Sequence, residues 1–356
     1  MTEREALRPT LAAVAARAGV SASTASLAFS GTGPVSDATR ERVLAAAREL
    51  GYGGPDPRAR SLRRGRSGIV GVVSEERVRD AFHDPIKIAM LDGLSQELGA
   101  IDAGLLVLAD VGGNEHGATI ADAPMDAVVL IGCSPRYSES LATLRSRGIP
   151  IVAIEGEPGD DVLQIEQDNR DATRAGVEHL RDLGHTRVAV VTLPLDRDRV
   201  RAPLTDERVA ASTASTATQR LAGLRDVYPD ATGVSTAGSR VEEGMIAART
   251  LLDVPKDIRP TAIVAQSDLL AAGVIRAAEE LGISVPDELS VLGFDGIRVD
   301  GLWPYDLTTM VQPAVDKGRA AGRAILSMLN GEEAHPASFT SEFHPGNTTA
   351  PPKRAD

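Results

Sequence analysis

The chain is short of the residues that staple or decorate a fold. It has one cysteine, Cys133, in 356 residues, which excludes an internal disulfide and a cysteine-rich zinc site. No run of 18 apolar residues occurs, so no segment reads as a membrane span. The opening Met1-Thr2-Glu3-Arg4-Glu5-Ala6 is charged and has none of the apolar stretch of a secretion signal. A Gly-x-x-x-x-Gly-Lys run, a Gly-x-Ser-x-Gly elbow and a full dinucleotide fingerprint are all missing. The six histidines are scattered without metal-ligand spacing, and His179 and His185 read as packing or capping residues. Cys133 follows a strand with nothing nearby to activate it. These absences predict a soluble cytoplasmic protein with no cofactor, no metal and no enzymatic activity.

What is present is globular, with 42% apolar and 25% charged residues, and long enough for two to three folding units. The net charge of −12 hides an asymmetry: residues 1–68 carry eleven arginines against six acids, while the remainder carries 27 bases against 44 acids. A basic head is drawn to a polyanion, and an acidic body is kept off it.

Within the head, Thr10 is a good N-cap for a helix Leu11–Ala18, with Leu11, Val14 and Ala15 on one face. Gly19 stops that helix, Val20 anchors the turn, and Ser21 caps a second helix, Ala22–Phe29. Ser36 or Asp37 starts a third through Leu50, with Val43, Leu44, Ala47 and Leu50 expected inside. Two short helices about a glycine turn match the helix-turn-helix pattern, although a small bundle with no DNA role shares it. Ser21, Ser23, Thr24 and Ser26 are short polar residues suited to phosphate or base-edge contacts. Residues 53–68 read as a joint: Gly53-Gly54-Pro55 breaks the chain, and four arginines follow in 58–64.

The segments Thr10-Leu-Ala-Ala-Val-Ala-Ala-Arg-Ala-Gly-Val-Ser21, Ser23-Thr24-Ala25-Ser26, Val35-Ser36-x-x-Thr39-Arg40-Glu41-Arg42-Val43 and Glu49-Leu50-Gly51-Tyr52 closely resemble the opening of LacI/GalR-type regulators. So does Pro57-Arg-Ala-Arg-Ser-Leu-Arg-Arg-Gly-Arg-Ser67, in the same order. The resemblance implies a helix-turn-helix domain at 1–54, a hinge helix or linker at 55–68, an effector-binding and dimerisation domain at 69–350, and a tail at 351–356. It places Ala22, Ser23, Ser26 and Leu27 toward the major groove, with Thr10, Ser21, Thr24 and Ser36 completing the DNA-facing set of the head. It also places Arg58, Ala59, Arg60, Leu62 and Arg63 on the minor groove, with Leu62 as the wedge that kinks the duplex. A solvated basic linker, with Leu62 packed on the body, is the alternative. Leu27 departs from the family, which commonly has arginine there. Leucine offers a base only apolar contact, such as to a thymine methyl.

From Gly68 onward, strand-like runs (69–73, 105–108, 128–131, 151–154, 188–192, 262–265, 290–294) alternate with helical stretches (86–98, 139–147, 172–183, 241–252, 269–281, 315–329). That alternation argues for parallel sheets covered on both faces, an α/β class, and the length argues for two doubly wound subdomains. The resemblance continues through Asp168-Asn169-Arg170, Gly176-Val-Glu-His-Leu180, Leu183-Gly-His185, Arg220-Leu-Ala-Gly223, Ser267-Asp268, Val291-Leu-Gly-Phe-Asp295 and Leu307-Thr-Thr-x-x-Gln-Pro313. It implies a periplasmic-binding-protein-like effector domain, with Arg220 and Asp268 holding the ligand. An Arg fork and an Asp suit vicinal hydroxyls, though a structural ion pair fits the same two residues. Phe82, His83, Asp84, Asp168 and, more loosely, Lys87 and Asp171 are further candidates for the cleft. Asp84-Pro85-Ile86-Lys87 lacks the two phenylalanines usual after the first strand, and Ser267 stands in place of the usual asparagine. The 193–219 stretch reads either as a cleft lid or as an insertion, and 110–124 looks short for a regular second helix.

The expected function is a DNA-binding transcriptional regulator, in the sense of a repressor. It would bind a near-palindromic operator as a homodimer and respond to a small-molecule effector, a sugar or related metabolite. A solute-binding protein or ligand-processing enzyme with a vestigial head is the alternative.

Overall fold

The computed structural model describes residues 9–31, 33–54, 66–74, 77–109, 120, 122–133, 138–156, 159, 161–196 and 198–353. The chain divides into two compact units, residues 1–68 and 69–356. Among the described residues, no single helix is long and apolar enough to cross a membrane.

In the first unit, α1 (Leu11–Ala18), α2 (Ala22–Ser30) and α3 (Asp37–Glu49) surround a small core of Val14, Ala15, Ala25, Ala28, Val43, Ala46 and Ala47. Each helix starts on a hydroxyl cap: Thr10, Ser21 and Ser36 accept from the amides of Ala13, Thr24 and Thr39. Gly19, at φ 67°, closes α1 in the left-handed conformation that favours glycine. The axes of α1 and α2 then differ by 101°, within the range of a helix-turn-helix. Phe29 packs edge-on against Tyr52 at 5.6 Å and fills the space that the alanines leave. Two core expectations for α3 need correction. Leu44 is half-buried and Leu50 exposed, because the face that meets α1 and α2 runs through Val43, Ala46 and Ala47.

The second unit contains two sheets. The first is wholly parallel: β1 (Ile69–Ser74), β2 (Gly104–Ala109), β3 (Ala127–Cys133), β4 (Ile151–Gly156), β5 (Leu163–Gln167) and β12 (Ala337–Phe339), in the order β12-β5-β4-β3-β1-β2. Its strands are apolar on both faces because both are covered. Val70, Val72, Val129 and Ile154 pack toward α5 (Pro85–Leu98) and α12 (Ala314–Asn330). Val73, Val128, Leu130 and Ala153 join the opposite cluster, with Leu141 and Leu144 of α6 (Ser138–Ser146). A short α4 (Val78–Ala81) precedes α5.

The second sheet has the order β13-β11-β10-β9-β6-β8-β7. Its parallel strands are β6 (Val188–Thr192), β8 (Thr232–Ser235), β9 (Ala262–Ala265), β10 (Ser290–Asp295) and β11 (Thr308–Val311). The antiparallel edges are β7 (Ala202–Pro203) and β13 (Glu342–His344). One face is covered by α7 (Asn169–Asp182) and α9 (Ser215–Arg225), the other by α10 (Val241–Leu252) and α11 (Asp268–Glu280). β5, β8 and β11 escaped the sequence reading because they are short and mix polar with apolar residues (LQIEQ, TGVS, TTMV).

Glycine sets the closest helix approaches. A Cβ on Gly93 of α5 would lie 1.9 Å from the Val315 carbonyl of α12, and one on Gly318 would lie 2.0 Å from that of Met90. The stretch expected as lid or insertion is built structure over its described residues: β7 pairs with β8, and α8 (Asp206–Ala210) is tied back by Arg208 to Ser235 and to the Val200 carbonyl.

Among the described residues, the chain passes between the sheets three times, after β5, β11 and β12. Two of these passages are clasped together. The Asp168 amide donates to the Phe339 carbonyl (3.1 Å), and the Asp168 carboxylate accepts from both the amide and the hydroxyl of Ser341 (3.0 Å each). His185 pins the final segment of the chain. Its Nε2 lies 2.9 Å from the Ala350 carbonyl and 3.0 Å from Ser290 Oγ, and its Nδ1 lies 2.9 Å from Thr261 Oγ1. Nε2 therefore carries the hydrogen that Ala350 accepts. His179, for its part, bonds Thr349 and packs on Phe343.

Burial lowers the His185 pKa below 6.5, with the Ala350 bond opposing and His179 assisting. A base whose folded pKa is depressed contributes stability above its unfolded pKa and loses it as pH falls. Urea denaturation should therefore show stability declining as pH drops below about 6.5. In His185→Gln that part of the decline should be absent. His185→Ala should cost about 1–3 kcal/mol at neutral pH, through the partners it orphans.

Candidate functional sites

Both sheets of the second unit have the strand order of a doubly wound fold, and ligands of such sheets sit beyond the carboxyl ends of the strands. A cavity of about 200 Å³ lies there. From the first sheet come Ser74 at the end of β1, Ile131 and Gly132 of β3, and Glu155 and Gly156 of β4; from the second come Leu193 after β6, Ser267 after β9, Asp295 at the end of β10 and Gln312 after β11. The 193–217 segment adds Pro194, Asp196, Arg199, Ser215 and Thr216 as a wall. Among the described residues, no aromatic ring lines this cavity.

Through its lining, with Asn169 and Lys317 behind it, runs a closed ring of side chains that alternates acid, base and amide. Lys317 Nζ donates to Glu155 Oε1 (2.6 Å) and to Gln312 Oε1 (2.5 Å). Gln312 Nε2 donates to Asp295 Oδ1 (2.6 Å), which lies 3.6 Å from the Arg220 guanidinium. Arg220 Nε donates to Asn169 Oδ1 (2.8 Å), and Asn169 Nδ2 returns to Glu155 Oε2 (2.8 Å). Each carboxylate thus has a cation, and each amide passes a hydrogen bond from a base to the next acid. Arg220 is held further by the Gln266 carbonyl (2.5 Å) and lies over the Phe294 ring at 3.6 Å. The ring joins β4 and α12, both built on the first sheet, to α7, α9 and β10 of the second.

The electrostatics follow from these contacts. Burial works to raise the Glu155 pKa, but the charges of Lys317 and Arg220, with hydrogen bonds from Lys317 and Asn169, bring it down to about 2. For Asp295 burial wins: its carboxyl is pushed up to about 7, against Arg220 and with help from the charge of Asp84. Four non-glycine residues among those described have positive φ. Three of them line the cavity: Glu155 (59°), Arg199 (52°) and Asp295 (128°). Strained backbone of this kind concentrates where ligands are held.

Of the residues expected to hold an effector, the structure brings Arg220, Asp84 and Lys87 to the cavity. Asp268 does not line it. Its carboxylate is fully buried and accepts from the amides of Gly296 (2.7 Å) and Ile297 (2.8 Å) and from Thr309 Oγ1 (2.6 Å), so it braces the turn that presents Asp295. Asp168 is the clasp between two passages of the chain, and Asp171 pairs with Arg174 on the outer side of α7. Phe82 is 54% exposed, and neither it nor His83 lines the cavity. Glu155, Asp295, Ser267, Gln312, Asn169 and Lys317 were not expected at the site. Asp295 and Gln312 nevertheless stand inside the quoted motifs, and Glu155 directly follows an expected strand. Among the described residues, no group of three His, Cys, Asp or Glu is placed to hold a metal.

In the first unit, α2 turns Ala25 and Ala28 inward, while Ala22, Ser23 and Leu27 are exposed and Ser26 is half-buried. At its start, Ser21 Oγ lies 2.8 Å from the hydroxyls of both Ser23 and Thr24. Thr10 and Ser36 are exposed caps on α1 and α3. Arg58, Ala59, Arg60, Leu62 and Arg63 lie outside the described residues.

Two family models match the chain. Residues 10–54 match the model for bacterial regulatory proteins of the lacI family, and residues 177–349 match a periplasmic binding protein-like domain. The chain is 31% identical over 355 residues to the HTH-type transcriptional regulator IpsA of Corynebacterium glutamicum, covering 96% of this chain and 98% of that one. It is 30% identical over 331 residues to the HTH-type transcriptional repressor CytR of Escherichia coli, covering 91% and 90%. Among solved structures, a complex of the transcriptional regulator CelR with cellobiose superposes with a TM-score of 0.66 at 25% identity, over 96% of this chain and 100% of that one.

The ring makes a stability prediction. Lys317→Met strands a buried Glu155 carboxylate and should cost about 3–5 kcal/mol in urea denaturation. Adding Glu155→Leu to it should return most of that loss, since no buried charge is then left without a partner.

Proposed function

We propose, for a chain that belongs to the lacI family of bacterial regulatory proteins and is a DNA-binding transcriptional regulator, that the cavity between its two sheets takes a small, neutral, hydroxyl-rich effector, and that occupancy changes operator affinity. The observation that carries this reading is the ring. Because Glu155 is matched by Lys317 and, once ionised, Asp295 by Arg220, the floor of the cavity is charge-balanced above about pH 7 and has no net charge there to offer a charged ligand. Hydroxyls suit it, since each both donates and accepts. A volume of about 200 Å³ falls below the roughly 300–1,000 Å³ of sites for drug-sized ligands, which favours one sugar ring or a compact polyol over an oligosaccharide.

The response follows from where the ring stands. It spans both sheets, so a ligand hydroxyl that engages Asp295 or Arg220 changes contacts holding one sheet to the other. An effector shifts the equilibrium only by its differential affinity for the two arrangements. On the DNA side, two copies would present two α2 helices to the halves of a near-palindromic operator, acting as a repressor. A homodimer is further supported by Trp303, 90% exposed on a loop fastened to α11 through Arg276 to the Asp300 carbonyl and Tyr305 to Glu279. Tryptophan so displayed is a typical anchor for a partner surface. The hinge assignment at 55–68, with Leu62 as the wedge, is part of the same proposal.

Calorimetric titration with a panel of neutral monosaccharides, cyclic polyols and disaccharides tests this reading. A single-ring compound should bind and a disaccharide should not. Arg220→Ala and Asp295→Asn should each weaken binding tenfold or more while leaving effector-free operator affinity within about twofold. Since hydroxyls donate to the ionised carboxylate, wild-type affinity should rise as pH rises through about 7, and Asp295→Asn should flatten that profile. Tight binding of a disaccharide, or of an anionic sugar in preference to its neutral form, would contradict the proposal.

A further inference from the structure

One wall of the cavity comes from residues 194–196 and 198–201, and this stretch is anchored at both ends. Before the turn, the carbonyl of the buried Leu195 accepts from the Thr213 amide (2.9 Å) and from Ser212 Oγ (2.6 Å). After the turn, Arg201 makes a two-pronged bond to Glu243 of α10 (3.0 and 2.7 Å), and Ala202 then pairs with β8. The Val200 carbonyl accepts from Arg208 (3.0 Å) and from Ser235 Oγ (3.2 Å). Glu243 is itself buried and also accepts from the Ala237 amide (2.9 Å). Burial works to raise its pKa, but the bonds from Arg201 and Ala237 bring it below the ordinary carboxylate range, so the anchor is an ion pair at neutral pH. Swinging this wall aside would leave the buried Glu243 without its guanidinium, a costly step. The wall is therefore fixed, and it does not act as a lid.

Between the anchors the chain turns tightly. The Arg199 amide donates to Asp196 Oδ1 (2.9 Å) and, at 3.3 Å, to the Asp196 carbonyl, a turn closed by an aspartate side chain. Arg199 has φ 52°, a left-handed conformation that strains a residue with a Cβ and suits glycine. An arginine stands there nonetheless, and it lines the cavity with Asp196 and Pro194. What it adds over glycine is a long side chain on the wall of a cavity of about 200 Å³. We propose that the turn at Asp196 and Arg199 is a built-in size filter, and that Arg199 is a specificity-determining residue that limits the effector to one ring by filling the space a second ring would need. This role rests on the effector reading and deepens it, since it assigns the exclusion of larger ligands to one side chain on an anchored wall.

Calorimetric titration of the full chain with the panel of neutral monosaccharides, cyclic polyols and disaccharides tests the filter. Wild type should bind a single ring and exclude the disaccharides. In Arg199→Gly the discrimination against at least one disaccharide should fall roughly tenfold or more, as relief of overpacking allows. Glycine takes φ 52° without strain, so this variant should fold. Arg199→Gln keeps most of the bulk without the charge and should discriminate as wild type does. Replacing Arg201 and Glu243 together by alanine removes the anchor without leaving a buried charge. Neither residue lines the cavity, so single-ring affinity should stay nearly unchanged while disaccharide binding rises, with circular dichroism showing that the pair is folded. Continued exclusion of disaccharides by Arg199→Gly and by the anchor pair, with the single ring still bound, would overturn the filter and leave the effector reading standing. Loss of discrimination in Arg199→Gln would overturn it in favour of a charged contact. Tight disaccharide binding by wild type, or no single ring bound, would strike the effector reading and this inference with it.

Discussion

A cavity shared by two sheets needs something other than apolar packing to hold its floor, because the carboxyl ends of parallel strands present polar groups. In this chain that task falls to the ring Glu155–Lys317–Gln312–Asp295–Arg220–Asn169. Its members come from five elements and one passage between the sheets, and removal of any one leaves a buried polar partner unsatisfied. The alternation of acid, base and amide gives each of two buried acids a cationic partner. The two acids nevertheless settle at opposite ends of the titration range, with Glu155 near 2 and Asp295 near 7. Glu155 has a lysine in direct contact, whereas Asp295 has an arginine at 3.6 Å and Asp84 close enough to oppose its charge.

The rest of the second unit serves to bring those side chains together. Gly93 and Gly318 let α12 settle on α5, which places Lys317 under β4. Asp268, buried at the start of α11, accepts from the two amides after Asp295 and fixes the turn at the end of β10. Asp168 ties together two of the three passages between the sheets at Ser341. None of these three devices lines the cavity, yet each sets where a residue that matters to it stands.

Much of the fold was legible in the sequence because its signals are strong and local. Hydroxyl caps at Thr10, Ser21 and Ser36 and the left-handed Gly19 mark the helices of the head, and apolar runs such as Val188–Thr192 and Ala262–Ala265 mark buried strands to the residue. Strands of four or five residues with mixed polar and apolar side chains escaped, since β8 and β11 owe their place to neighbours already formed. The site was half legible. Arg220 and Asp268 were both named from the resemblance; Arg220 lines the cavity, whereas Asp268 is buried behind it and braces the turn after Asp295. Which of two nearby acids faces the cavity depends on the turn at Gly296–Ile297, a tertiary feature that local pattern does not carry. Lys317 sits on the inner face of a helix and has no local mark distinguishing it from a solvated lysine.

The central claim is that occupancy of the cavity reaches the DNA-binding state through the ring. The direct measurement is operator affinity by fluorescence anisotropy, with and without the saturating neutral polyol that titrates the cavity, for wild type and for the Lys317→Met, Glu155→Leu pair. The account predicts a shift of tenfold or more in wild type and almost none in the pair, with the effector still bound by Arg220 and Asp295. An equal shift in both proteins would show that the signal travels by another route.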